Sequence, residues 1–333
     1  MMRNLIYAFG RIILLLSLLM FGGCDIHEWP DKRYILYPFT LNLDFHSDLS
    51  MYEEISYVRN VRSISENSLV GHDVRYLIKA YRMDDMGDVS TFVYTHADVS
   101  SLNHDVQLEL PEGAYKFLVW TDYVDSKSVN DKYYDTSDFQ EIILIDKSNH
   151  KGSNEFRDVF RGYSFGEVEG TESTTGIATV TMERPMGKFK FIATDADVFI
   201  KTMQNKGSLL NMEDYKVIFR YNYFMPCSYN LVADMTADSW TGMSFESRMF
   251  TNLEDQVELG YDYVFVNDNG TTLSVCMEVY DKDGSLLAAC SPINVPIVRN
   301  KMTKVSGNFL TSKSSGGIQV STEYEGNFNI EIN

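Results

Sequence analysis

Basic residues are scarce in this chain. Its 333 residues include 29 lysines and arginines against 47 aspartates and glutamates, which gives a formal net charge of −18 at pH 7. A protein that binds nucleic acid must neutralise phosphates with lysine and arginine, so the charge argues against a nucleic-acid partner. The same charge is typical of a soluble domain held away from an anionic membrane surface.

Cysteine and histidine are also rare. Four cysteines are present, and besides Cys24, at the end of the N-terminal leader, an odd number remains, which excludes a complete disulfide framework. The six histidines show no metal-site spacing, and motifs of serine hydrolases, P-loop proteins and dinucleotide-binding proteins are absent. We therefore expect no metal, no cofactor and no enzymatic activity. A pair of catalytic carboxylates, as in glycosidases, has no sequence motif, so motif searches do not exclude it.

The first 23 residues have the pattern of a secretory signal peptide. Arg3 and Arg11 supply positive charge, residues 12–20 form an apolar run, and two glycines precede Cys24. The run is shorter than the about 20 residues that a membrane-spanning helix needs, and it has the size of a signal-peptide core. Small residues directly before a cysteine resemble a bacterial lipobox.

The lipobox resemblance implies cleavage before Cys24 and acylation of its thiol, with residues 24–35 as a short tether. Several acyl chains hold a protein stably on a membrane, whereas one chain binds marginally. We therefore expect a lipid-anchored protein. The alternative is an ordinary signal peptide, in which Cys24 has no special role.

Alternation of apolar and polar residues is the dominant pattern in the rest of the chain, and it predicts strands with one buried face. Such runs lie at residues 40–45, 74–79, 106–110, 217–223 and 328–332. Turn signals separate them, as is typical of β-sandwiches. Helix signals are confined to residues 195–206 and to one turn at 98–104. The sequence therefore predicts an all-β protein with one or two short helices.

The length of the chain predicts two domains, since a typical domain has roughly 100–150 residues. Pro185 interrupts the strand pattern and removes a backbone donor from any ladder, so we place the boundary there. The predicted domains are an N-terminal β-sandwich at residues 36–183 and a C-terminal β-sandwich at residues 184–333.

Cys276 and Cys290 flank a hairpin turn signal at residues 281–284. If Asp281 pairs with Ser285, Cys276 lies opposite Cys290. Cross-strand Cβ atoms are about 4.5–5.5 Å apart, which allows a disulfide with slight adjustment. The alternative is two reduced, packed thiols, and a register shift of one residue would remove the pairing.

Aromatic residues are plentiful, with 20 phenylalanines and 21 tyrosines. Trp120, Trp240 and the tyrosines could form a stacking platform for carbohydrate, although rings on alternating strands more often fill a sandwich core. An exposed platform is what the alternative function, a glycan-binding surface lipoprotein, would require.

Several short segments resemble, in the same order, the FimB-like fimbrial subunit family of Bacteroidetes (type V) pili. That family has a Leu-Pro-x-Gly-x-Tyr…Trp-x-Asp-Tyr hairpin, an Arg-Asp-Ala-Phe-x-Gly segment and an Arg-Pro-x-Ala-Lys start of its second domain. The corresponding segments here, with four more toward the C-terminus, are residues 110–123, 157–162, 184–189, 261–266, 295–300, 307–311 and 324–328.

The resemblance implies two transthyretin-like β-sandwich domains in tandem. It also implies a surface-exposed lipoprotein of the cell outer membrane, acting as a fimbrial anchor or accessory subunit in pilus assembly and adhesion. Pilus subunits would be its partners, bound by adding a β-strand to an open sheet edge. Shaft subunits of such pili lose their first strand to a protease, whereas anchors keep it. Because the chain ends directly after its last predicted strand, we expect an anchor.

Overall fold

β-Strands make up most of the molecule, as the alternation predicts. The computed structural model describes residues 35–45, 71–83, 91–99, 104–171, 175–206, 214–251, 257–311, 319–323 and 328–331. Of the described strands, those before Pro185 are β1 (Leu36–Phe45), β2 (His72–Met83), β3 (Thr91–Val99), β4 (His104–Pro111), β5 (Gly113–Asp125), β6 (Tyr134–Asp135), β7 (Ile142–Leu144), β8 (Phe160–Val168) and β9 (Gly176–Met182).

The described strands after Pro185 are β10 (Met186–Ala193), β11 (Lys216–Tyr221), β12 (Phe224–Pro226), β13 (Ser228–Asn230), β14 (Met235–Thr236), β15 (Ser239–Thr241), β16 (Ser244–Arg248), β17 (Phe250–Thr251), β18 (Val257–Phe265), β19 (Thr271–Tyr280), β20 (Leu286–Ala289), β21 (Ile293–Ile297), β22 (Met302–Gly307), β23 (Gln319–Glu323) and β24 (Phe328–Glu331). One α-helix, α1 (Ala196–Asn205), and 3-10 turns at Lys147–Asn149 and Glu155–Arg157 complete the described elements. The all-β class is therefore confirmed.

The N-terminal half forms a sandwich of two sheets. One sheet has the strand order β4-β1-β9, and the other has the order β3-β2-β5-β8. Side chains of both sheets form the first hydrophobic core, which includes the fully buried Phe39, Leu41, Tyr76, Phe117 and Val180. Successive residues of a strand point to opposite faces, so every second residue of β1 and β9 enters this core.

The C-terminal half forms a second sandwich. One sheet has the order β17-β18-β10-β22-β23-β24, and the other has the order β16-β11-β19-β20, with β21 also paired to β19. β10 lies antiparallel to β18 and parallel to β22. Phe191 of β10 meets Phe219 of β11 with 5.2 Å between ring centroids. Aromatic rings of facing sheets thus fill the second core.

The sheet β3-β2-β5-β8 has buried residues on both faces. Ile78 and Val119 point into the first core, whereas Leu118 and Trp120 on the opposite face belong to the second core. This is why β5 is buried without interruption over residues 117–124, since strands covered on both faces carry continuous apolar runs. The two hydrophobic cores therefore lie on opposite faces of this one sheet.

A small sheet of order β14-β13-β7-β6 also connects the halves. In it, Ile143 of β7 lies opposite Ser228 of β13. The division of the chain into domains at residues 36–183 and 184–333 stays a prediction.

The helix expected at residues 195–206 is present as α1, with Asp195 at its N-terminal cap position. The helical turn expected at residues 98–104 is wrong at both ends, because Asp98 lies in β3 and His104 begins β4. Pairing with neighbouring strands outweighs the weak local helix preference there.

Candidate functional site

The first strand is the described element nearest to the predicted lipid site. Cys24 itself lies outside the described residues. β1 lies between β4 and β9, and Leu41 is opposite Ala178 in the parallel ladder with β9. Phe39 and Leu41 are fully buried. Because β1 is paired along both edges, it cannot leave its sheet without opening the first core.

A buried polar cluster around Asp262 joins the two halves. The Arg157 guanidinium and the backbone N–H of Tyr263 both donate to Oδ1 of Asp262, the latter at 2.8 Å. Oδ2 lies 2.6 Å from Nε2 of His150 and 2.6 Å from the hydroxyl oxygen of Tyr221, which donates to it. A carboxylate has about four lone-pair sites, so these four partners leave Asp262 no acceptor site for a substrate.

Burial and charge act in opposite directions in this cluster. Burial acts to raise the pKa of Asp262, but the positive charge of Arg157 and the interactions with His150 and Tyr221 together outweigh it, and the pKa lies below its ordinary value. Burial lowers the pKa of His150, and attraction to Asp262 offsets this only in part. We therefore expect an ionised Asp262, a charged Arg157 and a neutral His150 at neutral pH. The cluster stabilises the contact between the two halves, and the charges of Arg157 and Asp262 balance each other.

Two further ion pairs follow in residues 157–161. Asp158 accepts from Nε of Arg184 at 2.8 and 2.9 Å. Arg161 donates from Nη2 to Asp234 at 2.8 Å. A short segment of the N-terminal half is thus bound by charge to three separate places in the rest of the chain.

Most of these charged residues lie in segments singled out in the sequence. Asp262 belongs to residues 261–266, and Arg299, whose Nη1 lies 3.3 Å from Asp234, belongs to residues 295–300, whereas Asp234 lies in none of them. Sequence patterns alone do not reveal these contacts, because the partners lie as far as 112 residues apart.

Arg75 and Asp122 form another buried ion pair, this time within the N-terminal half. They lie opposite each other on β2 and β5. Arg75 donates from Nε and Nη2 to the two carboxylate oxygens at 2.8 and 2.6 Å, a bidentate geometry that gives strong, directional pairing. Its Nη1 donates to Asp131 and to the carbonyl of Val129, both at 2.8 Å. Arg75 therefore also fixes the loop that follows β5.

Cys276 and Cys290 are free thiols in the structure. The backbone N–H of Asp281 donates to the Ser285 carbonyl, as expected, but the N–H of Cys290 donates to the carbonyl of Met277. A bulge between the turn and the cysteines causes this difference. The register is shifted by one residue from the expected one, and such a shift removes the direct pairing of the two cysteines.

The structure separates the aromatic residues considered for a carbohydrate platform. Trp120 is fully buried and meets Tyr134 edge to face at 5.7 Å between ring centroids. Trp240 is partly buried against the second core. Tyr163 and Phe165 on β8, which the sequence does not single out, are 52% and 58% exposed. Exposed rings thus lie on β8 and, in the C-terminal half, at Tyr223 and Phe224, while Trp120 fills the core.

No group of three or more His, Cys, Asp or Glu side chains in the described ranges is placed to hold a metal ion. Among the same residues, no helix has the length and apolar character needed to cross a bilayer. An open depression of about 480 Å³ lies beside Lys216, Glu246 and Tyr280. Lys216 and Glu246 form an ion pair across it at 2.5 Å, so it is a solvated, charged surface.

Comparison with protein families gives one match that covers most of the chain. The model of a family of unknown function, DUF6562, matches residues 38–333. No curated protein matches the sequence significantly.

Several solved structures are similar to this chain at low sequence identity. A candidate cell adhesion protein from Bacteroides eggerthii is 13% identical, with a TM-score of 0.46 over 87% of this chain and 95% of that one. The fimbrial anchor protein Mfa2 from Porphyromonas gingivalis is 10% identical, with a TM-score of 0.42 over 89% and 99%. A candidate polysaccharide-binding protein (DUF1812) from Bacteroides thetaiotaomicron is 15% identical, with a TM-score of 0.44 over 89% and 98%. TM-scores at this level are too low to carry a function from one protein to another.

Proposed function

This chain belongs to the family of unknown function DUF6562, and from that premise we propose that it is a lipid-anchored surface protein that holds a fimbria on the outer membrane. The proposal makes it an anchor or accessory subunit, with fimbrial subunits as its partners and with no catalytic reaction of its own. Its support is the predicted signal peptide that ends before Cys24, the central position of β1 and the buried charges that join the two halves.

The observation that carries the proposal is the place of β1 in its sheet. β1 begins at Leu36, so residues 24–35 would span at most about 40 Å when fully extended. A lipid on Cys24 would therefore be connected by a short tether to a strand that is paired on both sides and buried through Phe39 and Leu41. The lipid and β1 would be parts of one continuous chain, so a load on the folded protein would reach the membrane through a strand that is held in its sheet on both sides.

Open sheet edges offer places for a fimbrial subunit to bind. In the described part of the chain, β3 and β8 are the outer strands of one sheet, and β16 is an outer strand of another. An outer strand presents unpaired N–H and C=O groups. A strand of a partner that pairs there gains affinity from backbone hydrogen bonds and specificity from side-chain pockets. We propose this mode for the partner.

The substitution Cys24→Ala tests the anchor role. Cells that express it should release fimbriae into the medium or carry fimbriae of altered length, because the protein would be secreted without lipid. Cys276→Ala, which changes a half-buried thiol on the C-terminal sheet, is the matched control and should leave fimbriae attached. Fimbriae counted on cells and in medium by electron microscopy give the measurement.

The result that would contradict the anchor role is normal attachment and normal length in the Cys24→Ala strain. Mass spectrometry of the native protein separates the two parts of the proposal. A mature N-terminus without lipid would refute the lipid anchor itself, whereas a lipidated protein whose loss leaves fimbriae attached would refute only the fimbrial role.

A further inference from the structure

Four exposed apolar side chains lie on the outer face of the sheet β3-β2-β5-β8. Met83, Val93, Tyr163 and Phe165 are between 51% and 61% exposed. Single exposed apolar residues are normal on a protein surface, whereas contiguous ones mark binding sites. The arrangement of these four therefore decides whether the face has a function.

Strand register places the residues of this face in adjacent rows, because directly paired residues of antiparallel strands share a face. One row consists, in strand order, of Val93, Lys79, Leu118 and Tyr163. The next row consists of Thr91, Tyr81, Lys116 and Phe165. Leu118 in the first row is 1% exposed and belongs to the second core, and Lys79 beside it lies over the Phe139 ring. The face is therefore covered at its centre and open at Val93 on one side and at Tyr163 and Phe165 on the other.

The two exposed rings are flanked by polar groups of opposite character. The rings of Tyr163 and Phe165 are 6.3 Å apart between centroids and 82° inclined. The ammonium group of Lys116 lies 5.8 Å from the Tyr163 centroid, and no carboxylate of the described residues is recorded in an ion pair with it. Glu167, two residues after Phe165 on the same face, is exposed. The rings therefore have a free donor and a free acceptor beside them.

We propose that the open surface on β5 and β8, which we call the ring face (Lys116, Tyr163, Phe165 and Glu167), binds a neutral pyranose glycan. Aromatic rings present flat apolar surfaces on which the C–H face of a sugar ring can stack. Sugar hydroxyls accept hydrogen bonds from Lys116 and donate them to Glu167. The net charge of −18 repels polyanions, which favours a neutral glycan over an acidic one. This binding does not depend on the anchor role.

A protein partner is the competing occupant of the ring face. A stable protein interface buries about 800 Å² on each partner around an apolar centre. On the ring face, Lys116 lies beside Tyr163 and Phe165, and a protein that covered it would have to remove its hydration, which is costly without a paired charge. A sugar needs only the area of one or two rings and leaves the ammonium group hydrated.

A glycan array with the full protein, isolated in detergent, tests the proposal. The array carries neutral, uronic-acid and sialylated oligosaccharides, and titration calorimetry then measures affinity for the neutral oligosaccharide that binds best. We expect the double variant Tyr163→Ala/Phe165→Ala to lose about tenfold or more in affinity, as for the removal of two stacked rings. Lys116→Gln should lose affinity by a smaller factor.

Tyr223→Ala is the matched control, since Tyr223 is 71% exposed and lies on the C-terminal half. It should bind as tightly as the unchanged protein. Because the substituted rings are exposed, all variants should unfold at the same temperature, which circular dichroism checks.

Four outcomes would overturn the proposal: no neutral glycan binds, acidic glycans alone bind, the ring-face variants bind as tightly as the unchanged protein, or Tyr223→Ala weakens binding as much as they do. If the double variant detaches fimbriae and no glycan on the array binds the protein, the ring face would be assigned to a protein partner instead.

Discussion

Arg75 and Arg157 are both buried arginines paired with buried aspartates, yet they hold different parts of the molecule. Arg75 lies directly opposite Asp122 on the neighbouring strand, so its ion pair follows from the strand register. Arg157 meets Asp262, which is 105 residues further along the chain, and this pair exists only when the two halves are in place. The first pair is therefore a property of one sheet, and the second is a property of the assembled molecule.

The two aspartates also differ in how many donors they have. Asp122 is bonded by Arg75 and, at 3.2 Å, by Nε1 of Trp120. Asp262 has four donors from both halves. An ion pair with few further bonds can be replaced by apolar residues at little cost, whereas a fully bonded network is lost as a unit. This difference can be tested by substitution.

The largest expected effect is that of Asp262→Ala. It leaves the Arg157 charge buried without its partner and removes the acceptor of Tyr221, which should lower the free energy of unfolding by about 3–5 kcal/mol. Urea denaturation followed by tryptophan fluorescence provides the measurement. A loss below about 1 kcal/mol, the usual size for an exposed pair, would show that the cluster does not hold the halves together.

A somewhat smaller effect is expected for Arg75→Met, which leaves Asp122 buried and unpaired and should cost about 3 kcal/mol. Adding Asp122→Leu should restore part of that stability, because it removes the unpaired buried carboxylate and leaves Nε1 of Trp120 as the one buried donor that loses its partner among the described residues. The same measurement on Arg157→Met/Asp262→Leu should show no comparable recovery, since His150 and Tyr221 stay unpaired. Equal recovery in the two double variants would remove the distinction between the clusters.

Acid should weaken the Asp262 cluster in two steps. The pKa of His150 is lowered on folding, so the unfolded chain binds more protons and stability falls as the pH drops through the ordinary histidine value of 6.5. The pKa of Asp262 is also lowered, so a further loss follows below its ordinary value of 3.8.

His150→Gln should remove the first of these two steps and keep the second. Melting temperatures measured between pH 8 and pH 3 for both proteins provide the test. Parallel curves for the two proteins above pH 5 would mean that His150 does not titrate as described.

The smallest expected effect is that of Asp268→Ala. Asp268 is 77% exposed and lies 2.7 Å from Nη1 of Arg299, which keeps Asp234 as a second partner. Exposed ion pairs contribute about 0–1 kcal/mol, so the free energy of unfolding should change by no more than about 0.5 kcal/mol. A larger loss in the urea experiment would mean that Arg299 depends on Asp268 for its position.

The parts of the fold that sequence can predict are those set by neighbouring residues. Alternation identifies β1 and its buried Leu41 and Phe45, because side-chain direction has a period of two along a strand. The helix after Asp195 follows from a cap residue and a glycine stop. Pairing of β2 with β5 would then imply the Arg75–Asp122 contact, since it needs only the register.

The rest depends on contacts that no local pattern encodes. A single bulge places Cys290 opposite Met277 instead of Cys276. The turn residues at 281–284 do not reveal this bulge. The burial of Trp120 follows from the second core closing over the outer face of β5. The same closure stops short of Phe165, so the position of the ring face required the assembled structure.

The central position of β1 has a mechanical consequence. β1 is hydrogen-bonded to strands on both sides. A load applied along it from its N-terminal end would therefore shear two rows of hydrogen bonds at the same time. An edge strand that is peeled away breaks only one row, one bond after another. Resistance to such a load is set by the rate of forced unfolding and not by equilibrium stability. If the chain is anchored at its N-terminus as proposed, a pull on the protein would load this sheet in the geometry in which it yields most slowly.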